Sequence, residues 1–401
     1  MRRFPLPIWI ILSGTLLFGL SYFMTWPFLA IVLKRDFAMN PTEIGAVLSL
    51  AAFVGAGASL ISGNLSDRFG RKAIILIANT VLALAFVMMA TADTAFWIIT
   101  GAVLVISMRH IADPPRRALI TDLISDKDTR DLAFHLNYFM VNVGATTGPF
   151  IALFFGISAR QSTFWVSAVV IGAYTLALLA ALWRIPNRHV GGEQTHWREV
   201  ARVLAADRVF RWMMIGSILV AYTYAQQDSS VVQYLSNSLD YEQAAFFFSF
   251  VVAGNSATVV LAQFPLLAVM KHWSYDARIR FGVTGFMAGF IVYALIPVDW
   301  LPGWVIGTVL LSVGEAVLFP TLNLKTDQIA PAHLKGTYFG ASNLYALGYG
   351  LGPLFGGMMI GAGTGPLLWV VAAAICVLSI LAHGRSAVMQ KRRDLLGVEP
   401  T

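Results

Sequence analysis

Hydrophobic residues run along the chain in long blocks interrupted by short polar stretches. Windows of 18 or more mostly apolar residues recur over its whole length, at roughly 8–33, 42–65, 72–91, 96–119, 131–155, 163–184, 210–235, 243–268, 278–297, 303–326, 337–360 and 366–386. At 1.5 Å per helical residue, each can cross a hydrocarbon core of about 30 Å. The pattern predicts twelve membrane-spanning helices. The opening "MRRFPLPIWIILSGTLLFGL" has the two arginines and apolar stretch of a secretory signal. The apolar run continues to Leu33 without a small-residue cleavage site, so it reads as the first span.

The longest polar segment, 185–209, separates six spans from six. The halves resemble each other at an offset of about 200 residues. Gly14, Leu17, Tyr22 and Leu33 lie over Gly216, Leu219, Tyr224 and Leu235. "GAVLVISMRHIADP" (101–114) lies over "GTVLLSVGEAVLFP" (307–320), and a Gly-Pro pair recurs at Gly148-Pro149 and Gly352-Pro353. The expected organisation is an N-terminal six-helix bundle (1–184), a cytoplasmic linker (185–209), a C-terminal six-helix bundle (210–390) and a cytoplasmic tail (391–401). Six plus six spans with parallel halves is an internal symmetry of secondary transporters, which bind substrate between the halves.

Composition supports an integral membrane protein: 57% of residues are hydrophobic, 12% are charged and the mean hydropathy is +0.70. The net charge of +7 would suit a nucleic-acid partner, but its distribution excludes one. Only Lys34, Arg35 and Arg160 fall on one face of the predicted topology and Arg109 lies inside a span, which leaves 24 of the 28 Lys and Arg on the other face. That is the positive-inside pattern with both termini cytoplasmic. The expected location is a bacterial-type inner (plasma) membrane. The single cysteine, Cys376, rules out an intrachain disulfide and a cysteine-based metal cluster. His110 and His135 are isolated, so neither a metal nor another cofactor is expected.

Between spans 2 and 3 stands "GNLSDRFGRK". Its Gly63, Leu65, Asp67, Arg68, Gly70, Arg71 and Lys72 match the loop signature of the major facilitator superfamily, G-x-L-x-D-R-x-G-R-K. A short loop crowded with glycine and basic residues permits a tight turn at the cytoplasmic interface. "NVGATTGPF" resembles the span 5 signature of the exporter branch, with Gly144, Gly148 and Pro149 allowing close helix approach and bending, repeated in span 11 by Gly352 and Pro353. The chain thus resembles twelve-span drug/proton antiporters of that superfamily. The resemblance implies an all-α membrane fold of two pseudo-symmetric six-helix bundles, in which the loop is a conformational latch with Asp122 as its acidic partner. The exporter arginine of span 4 precedes its proline by about twelve residues. Here Ala102 and Val103 hold that place, and Arg109 stands nearer the proline.

Charges inside a span are costly and usually face a cavity or one another. Glu315 and Arg109 each precede their proline (Pro320, Pro114) by five residues and are equivalent in the repeat. The family fold implies that spans 1, 4, 7 and 10 line the substrate cavity, with these two groups on facing walls. Arg109, Asp113 and Arg116 share a helical face, and the same spacing fits a neutralising structural cluster. In span 7, Tyr222, Gln226, Ser229 and Gln233 form a polar stripe read as cavity wall. Asp228 falls about 115° from that stripe at 100° per residue. It follows Tyr224 by four residues, so that Tyr224 could hydrogen-bond it. Tyr22 and Trp26 in span 1 offer aromatic surface to a ligand. Asn142 is a polar cavity candidate, and Asn137 suits helix-to-helix hydrogen bonding.

The expected activity is proton-coupled secondary transport by alternating access, most simply export of small amphiphilic or cationic compounds in exchange for protons, by a monomer. Glu315, joined by Asp228, is the expected proton-coupling acid: low dielectric disfavours the carboxylate charge and a cation favours it, so proton and cationic substrate compete. "YFMVNVGATTGP" and "GEAVLFPTLNLKTDQIAP" also resemble proton-coupled oligopeptide transporters, which keeps peptides and amino-acid-like metabolites as alternative cargo. That family's span 1 glutamate-and-arginine motif is absent. A membrane sensor or membrane enzyme is the remaining class, but no nucleotide loop, H-E-x-x-H or nucleophile motif is present, and an enzyme is not expected.

Overall fold

The computed structural model describes residues 4–183, 205–331 and 335–396, and all regular structure among them is helical. Most of the expected linker and the last residues of the expected tail lie outside this set. By packing, the chain divides into two compact units, Met1–Glu193 with Asp240–Ala253, and Gln194–Leu239 with Gly254–Thr401.

The first unit contains α1 (Leu6–Thr25), which passes through a 3-10 turn at Trp26–Phe28 into α2 (Leu29–Phe37). Then come α3 (Pro41–Phe69), α4 (Arg71–Ala90), α5 (Ala95–Leu123), α6 (Lys127–Phe154) and α7 (Phe164–Leu182). Local sequence explains the boundaries. Asn40 and Glu43 form a reciprocal capping box at the start of α3, with Pro41 in its first turn. Gly70, with φ of 86°, turns the chain between α3 and α4 in a conformation that other residues resist. Asp126 caps α6 by accepting from Thr129 N at 3.0 Å.

The second unit repeats this order. In α8 (Arg208–Ala225), Asp207 caps the N-terminus by accepting from Val209 N and Phe210 N. A π-helical turn at Gln226–Ser230 leads to α9 (Val231–Ser238). Then follow α10 (Tyr241–Val269), α11 (Tyr275–Leu295), α12 (Leu301–Ile329), α13 (Lys335–Ser342), a 3-10 turn (Asn343–Tyr345), α14 (Ala346–Gly361) and α15 (Gly365–Leu396). The last helix continues past residue 390, where hydropathy placed the start of a tail, because "KRRDLL" favours helix even though it is polar. α10 is divided between the units at Ala253. Its N-terminal part joins the first through Phe248, edge-on to Phe28 at 6.1 Å, and Phe250, edge-on to Phe150 at 5.2 Å. Hydropathy marks where a chain crosses the apolar layer; packing records which neighbours it meets.

Nine of the described helices are long and apolar enough to cross a membrane on composition alone. The expected spans 5, 7 and 11 are not among those nine; span 7 carries "QQDSS" at its π turn, and span 11 contains a 3-10 turn.

Glycine sets the closest helix approaches, and it does so in the same way in both units. A Cβ at Gly144 of α6 would stand 2.7–2.8 Å from the Gly19 backbone of α1, and one at Gly148 would stand 2.7 Å from Leu20 O. In the second unit, Gly348 abuts the Ile218 carbonyl of α8, and a Cβ at Gly352 would stand 2.5 Å from the Ala225 side chain and 3.1 Å from Tyr222 O. Span 5 against span 1 and span 11 against span 7 therefore use glycines one repeat apart, as small-residue packing between membrane helices requires.

Candidate functional site

The interior of the second unit holds a carboxylate on neutral donors. Glu315, in the middle of α12, accepts from the Tyr224 hydroxyl at 3.0 Å through Oε1 and from Asn255 Nδ2 at 2.6 Å through Oε2. Asn255 also donates to Ser312 Oγ at 2.9 Å. Tyr224 is fixed by Phe319, edge-on at 5.1 Å, and Phe286, stacked at 6.0 Å. Three helices, α8, α10 and α12, thus meet at one acid.

Asp228 does not take the expected bond from Tyr224. A regular helix would bring residues four apart together, but the π turn at Gln226–Ser230 widens the backbone between them. Tyr224 reaches Glu315 instead, and the exposed Asp228 accepts from the Tyr349 hydroxyl of α14 at 2.7 Å. The same turn redirects the polar stripe. Gln226 is fully buried, donating to Gly352 O at 3.0 Å and accepting from Ser230 Oγ at 2.6 Å, so it ties span 7 to span 11. Ser229 and Gln233 are likewise buried, Ser229 donating to Ala225 O and Gln233 to Ser229 O. Tyr222 is half-buried, tilted against Phe355 at 6.2 Å. Gln227, outside the stripe, accepts from Tyr293 Oη at 2.8 Å.

In the first unit, Arg109 lies with its guanidinium 4.6 Å above the Tyr22 ring and donates to the Tyr22 hydroxyl at 3.1 Å. Tyr22 stacks in turn on Phe18 and on Trp26, at 5.5 and 5.7 Å. Asp113 bridges Arg116 of its own helix and Arg117, the latter at 2.9 Å. Ser62 Oγ of α3 donates at 2.7 Å to the Ile111 carbonyl, whose helical donor Pro115 removes. Asn137 accepts from Thr15 Oγ1 across α1 and α6 at 2.8 Å. Asn142 is half-buried in α6, where its carbonyl accepts from Thr146 Oγ1.

At the loop motif, Arg71 pairs with Asp122 and donates to the Ala118 carbonyl at 3.0 Å, joining the start of α4 to the end of α5. Lys72 donates to Trp183 O at 3.3 Å, and Arg68 lies 5.3 Å from the Phe69 ring. The surroundings of Gly63 and the side chain of Asp67 are outside the described residues. Leu65 is half-buried in the last turns of α3.

Sequence reasoning missed Asn255 and Tyr349. Asn255 had a signal, being an amide in an otherwise apolar stretch of span 8. Tyr349 had none, because aromatic residues are common in spans.

A chain of apolar spans arranged as two helical units, with charged and amide groups bonded inside, defines a multi-pass membrane transporter. The sequence profile of the Major Facilitator Superfamily matches residues 11–346, and the chain belongs to that family. It is 29% identical to the uncharacterized MFS-type transporter YqjV of Bacillus subtilis (strain 168) over 93% of this chain and 91% of that one. It is 25% identical to the multidrug resistance protein MdtH of Salmonella typhimurium (94% and 93% covered) and 24% identical to a Na(+), Li(+), K(+)/H(+) antiporter of Planococcus maritimus (86% and 87%). Among solved structures, the nucleoside transporter NupG shares the fold with a TM-score of 0.76 at 11% identity, covering 95% of this chain and 99% of that one. A POT family transporter in complex with 5-aminolevulinic acid gives 0.77 at 14% identity, covering 95% and 97%.

Proposed function

We propose that the chain is a proton-coupled antiporter that exports small amphiphilic or cationic compounds by alternating access, with Glu315 as the acid that exchanges the proton. It works as a monomer in a bacterial-type inner membrane with both termini cytoplasmic, drawing on the proton gradient and using no bound cofactor. The observation that carries the reading is the environment of Glu315: its hydrogen-bond partners, Tyr224 and Asn255, are neutral. A carboxylate held this way keeps its place when it takes up a proton, because no ion pair has to break. A cationic substrate reaching the same acid would displace the proton, and that competition couples two opposite fluxes. Similarity to the multidrug resistance protein MdtH supports drug-like compounds as cargo, and similarity to a cation/proton antiporter supports exchange chemistry. Asp228, exposed and bonded to Tyr349, is the second acid. The Arg71–Asp122 pair would serve as the latch that opens and closes with the transport cycle.

The test uses proteoliposomes under opposite pH gradients, measuring exit of a lipophilic cation and entry of a labelled dipeptide. Antiport predicts cation movement against the proton gradient. Dipeptide entry driven with the protons, without cation exchange, would overturn this reading in favour of peptide or metabolite uptake.

A further inference from the structure

In the second unit, α8 and α15 run antiparallel side by side: Ser379 Oγ donates to Gly216 O at 3.0 Å and Ser386 Oγ to Val209 O at 2.8 Å. That register sets the first turn of α8 level with Arg385, and Arg392 lies two turns further along. On α8, Arg208, Arg211 and Trp212 stand at i, i+3 and i+4 and share a face. On α15, Arg385 and Arg392 stand at i and i+7, about 20° apart at 100° per residue. The Arg385 guanidinium lies 4.9 Å from the Trp212 ring and joins the two faces. Arg208, Arg385 and Arg392 are exposed, while Arg211 and Trp212 are half-buried. About one turn deeper, Ile215 and Leu381 expose apolar side chains on the same faces. The arginines and Trp212 therefore mark the level where the hydrocarbon layer gives way to headgroups.

A second observation concerns the missing counter-charge. Among the described residues, none of Arg208, Arg211, Arg385 and Arg392 has a carboxylate partner. Arg211 donates only to Ala205 O, at 3.2 Å. Asp207, the acid beside them, is buried and committed to Arg393 at 3.2 Å and the Tyr338 hydroxyl at 2.7 Å. Asp394 falls about 180° from Arg385 at 100° per residue. Topology requires basic residues on this side of the membrane, but not their convergence on one outward face around a tryptophan.

We propose that this face of α8 and α15 is a binding site for the headgroup phosphate of an anionic phospholipid, held by Arg208, Arg211, Arg385 and Arg392, with Trp212 and the apolar residues beneath it against the acyl chains. Guanidinium groups match phosphate oxygens in charge and geometry, and basic side chains beside a span attract anionic lipid. Every residue of the site belongs to the second unit, and the proposal does not depend on proton exchange at Glu315.

The experiment titrates the purified full chain in neutral detergent with phosphatidylglycerol or phosphatidylcholine and reads the lipid-bound fraction by native mass spectrometry. Saturable binding of phosphatidylglycerol well above that of phosphatidylcholine is expected. Arg385→Ala and Arg208→Ala should each weaken it about fivefold, the factor that one basic side chain near a lipid surface supplies. Lys271→Ala, at an exposed position after α10 on the same side of the membrane, should leave affinity unchanged. Elution volume reports on folding, and each arginine variant tests the site should the other misfold. Equal binding of the two lipids, undiminished affinity in a folded arginine variant, or an equal loss in Lys271→Ala, meaning diffuse surface charge, would overturn the proposal. Displacement of the lipid by millimolar inorganic phosphate would overturn it in favour of a free-phosphate site.

Discussion

Arg109 with Tyr22 and Glu315 with Tyr224 occupy the same two positions of the internal repeat, one pair in each unit, with opposite charges on the same scaffold. In unit 1 the tyrosine is acceptor and π surface for a cation. In unit 2 it donates to an anion. The difference matters because a guanidinium keeps its charge at any physiological pH, whereas a carboxylic acid can exchange a proton. A second pair follows the same inversion. Arg71 at the start of α4 meets Asp122 at the end of α5, while Asp276 at the start of α11 meets Lys325 near the end of α12, at 2.8 Å. The repeat keeps the geometry and exchanges the signs, which places a guanidinium in one unit's core and a carboxylate in the other's.

The sharpest way to break this comparison is to alter each core charged group in turn. Glu315→Gln should reduce pH-gradient-driven flux to that of empty liposomes, while Arg109→Lys, which keeps the cation but loses the planar fork, should lower flux about tenfold and leave its pH profile in place. Flux measured across a pH series for both variants checks this, and a pH profile displaced by Arg109→Lys would remove the asymmetry.

The paired charges come next. Lys325 is nearly fully buried and also donates to Gln390 at 2.5 Å, so Lys325→Ala should destabilise the protein by about 3 kcal/mol. Asp122→Asn, at a more exposed pair, should cost about 1 kcal/mol. Thermal unfolding of the two variants separates them. Glycine packing should give intermediate and similar losses in the two units: Gly144→Ala and Gly348→Ala each push a methyl group into backbone, at a cost of about 1–3 kcal/mol. The smallest effect is expected from the tyrosines. Tyr224→Phe removes one hydrogen bond to Glu315, about 1 kcal/mol or roughly fivefold, and should displace the pH dependence of transport. Tyr22→Phe keeps the ring under Arg109 and should leave that dependence unchanged.

Much of the architecture was legible in the chain because membrane spans are written in composition, and the repeat is written in matched glycines, prolines and tyrosines. Glu315 and Arg109 stood out because charges are rare in such segments. Their partners were less visible. The i, i+4 spacing points Tyr224 toward Asp228 only if the helix is regular across "QQDSS", and a π turn is a backbone departure that no residue type announces. Gln226 and Gln233 looked like cavity wall, since an amide in a span suits either a ligand or a neighbouring helix, and periodicity does not distinguish them. Asn255 required knowing that span 8 lies beside span 10 in the second unit, which is tertiary information.

The central claim, that Glu315 carries the exchangeable proton, is tested most directly without a membrane. A lipophilic cation is added to purified protein in weakly buffered detergent solution and proton release is followed with a pH-sensitive dye. The wild-type chain is predicted to release a proton on binding and Glu315→Gln to release none while still binding the cation. Equal release from both proteins would contradict the account.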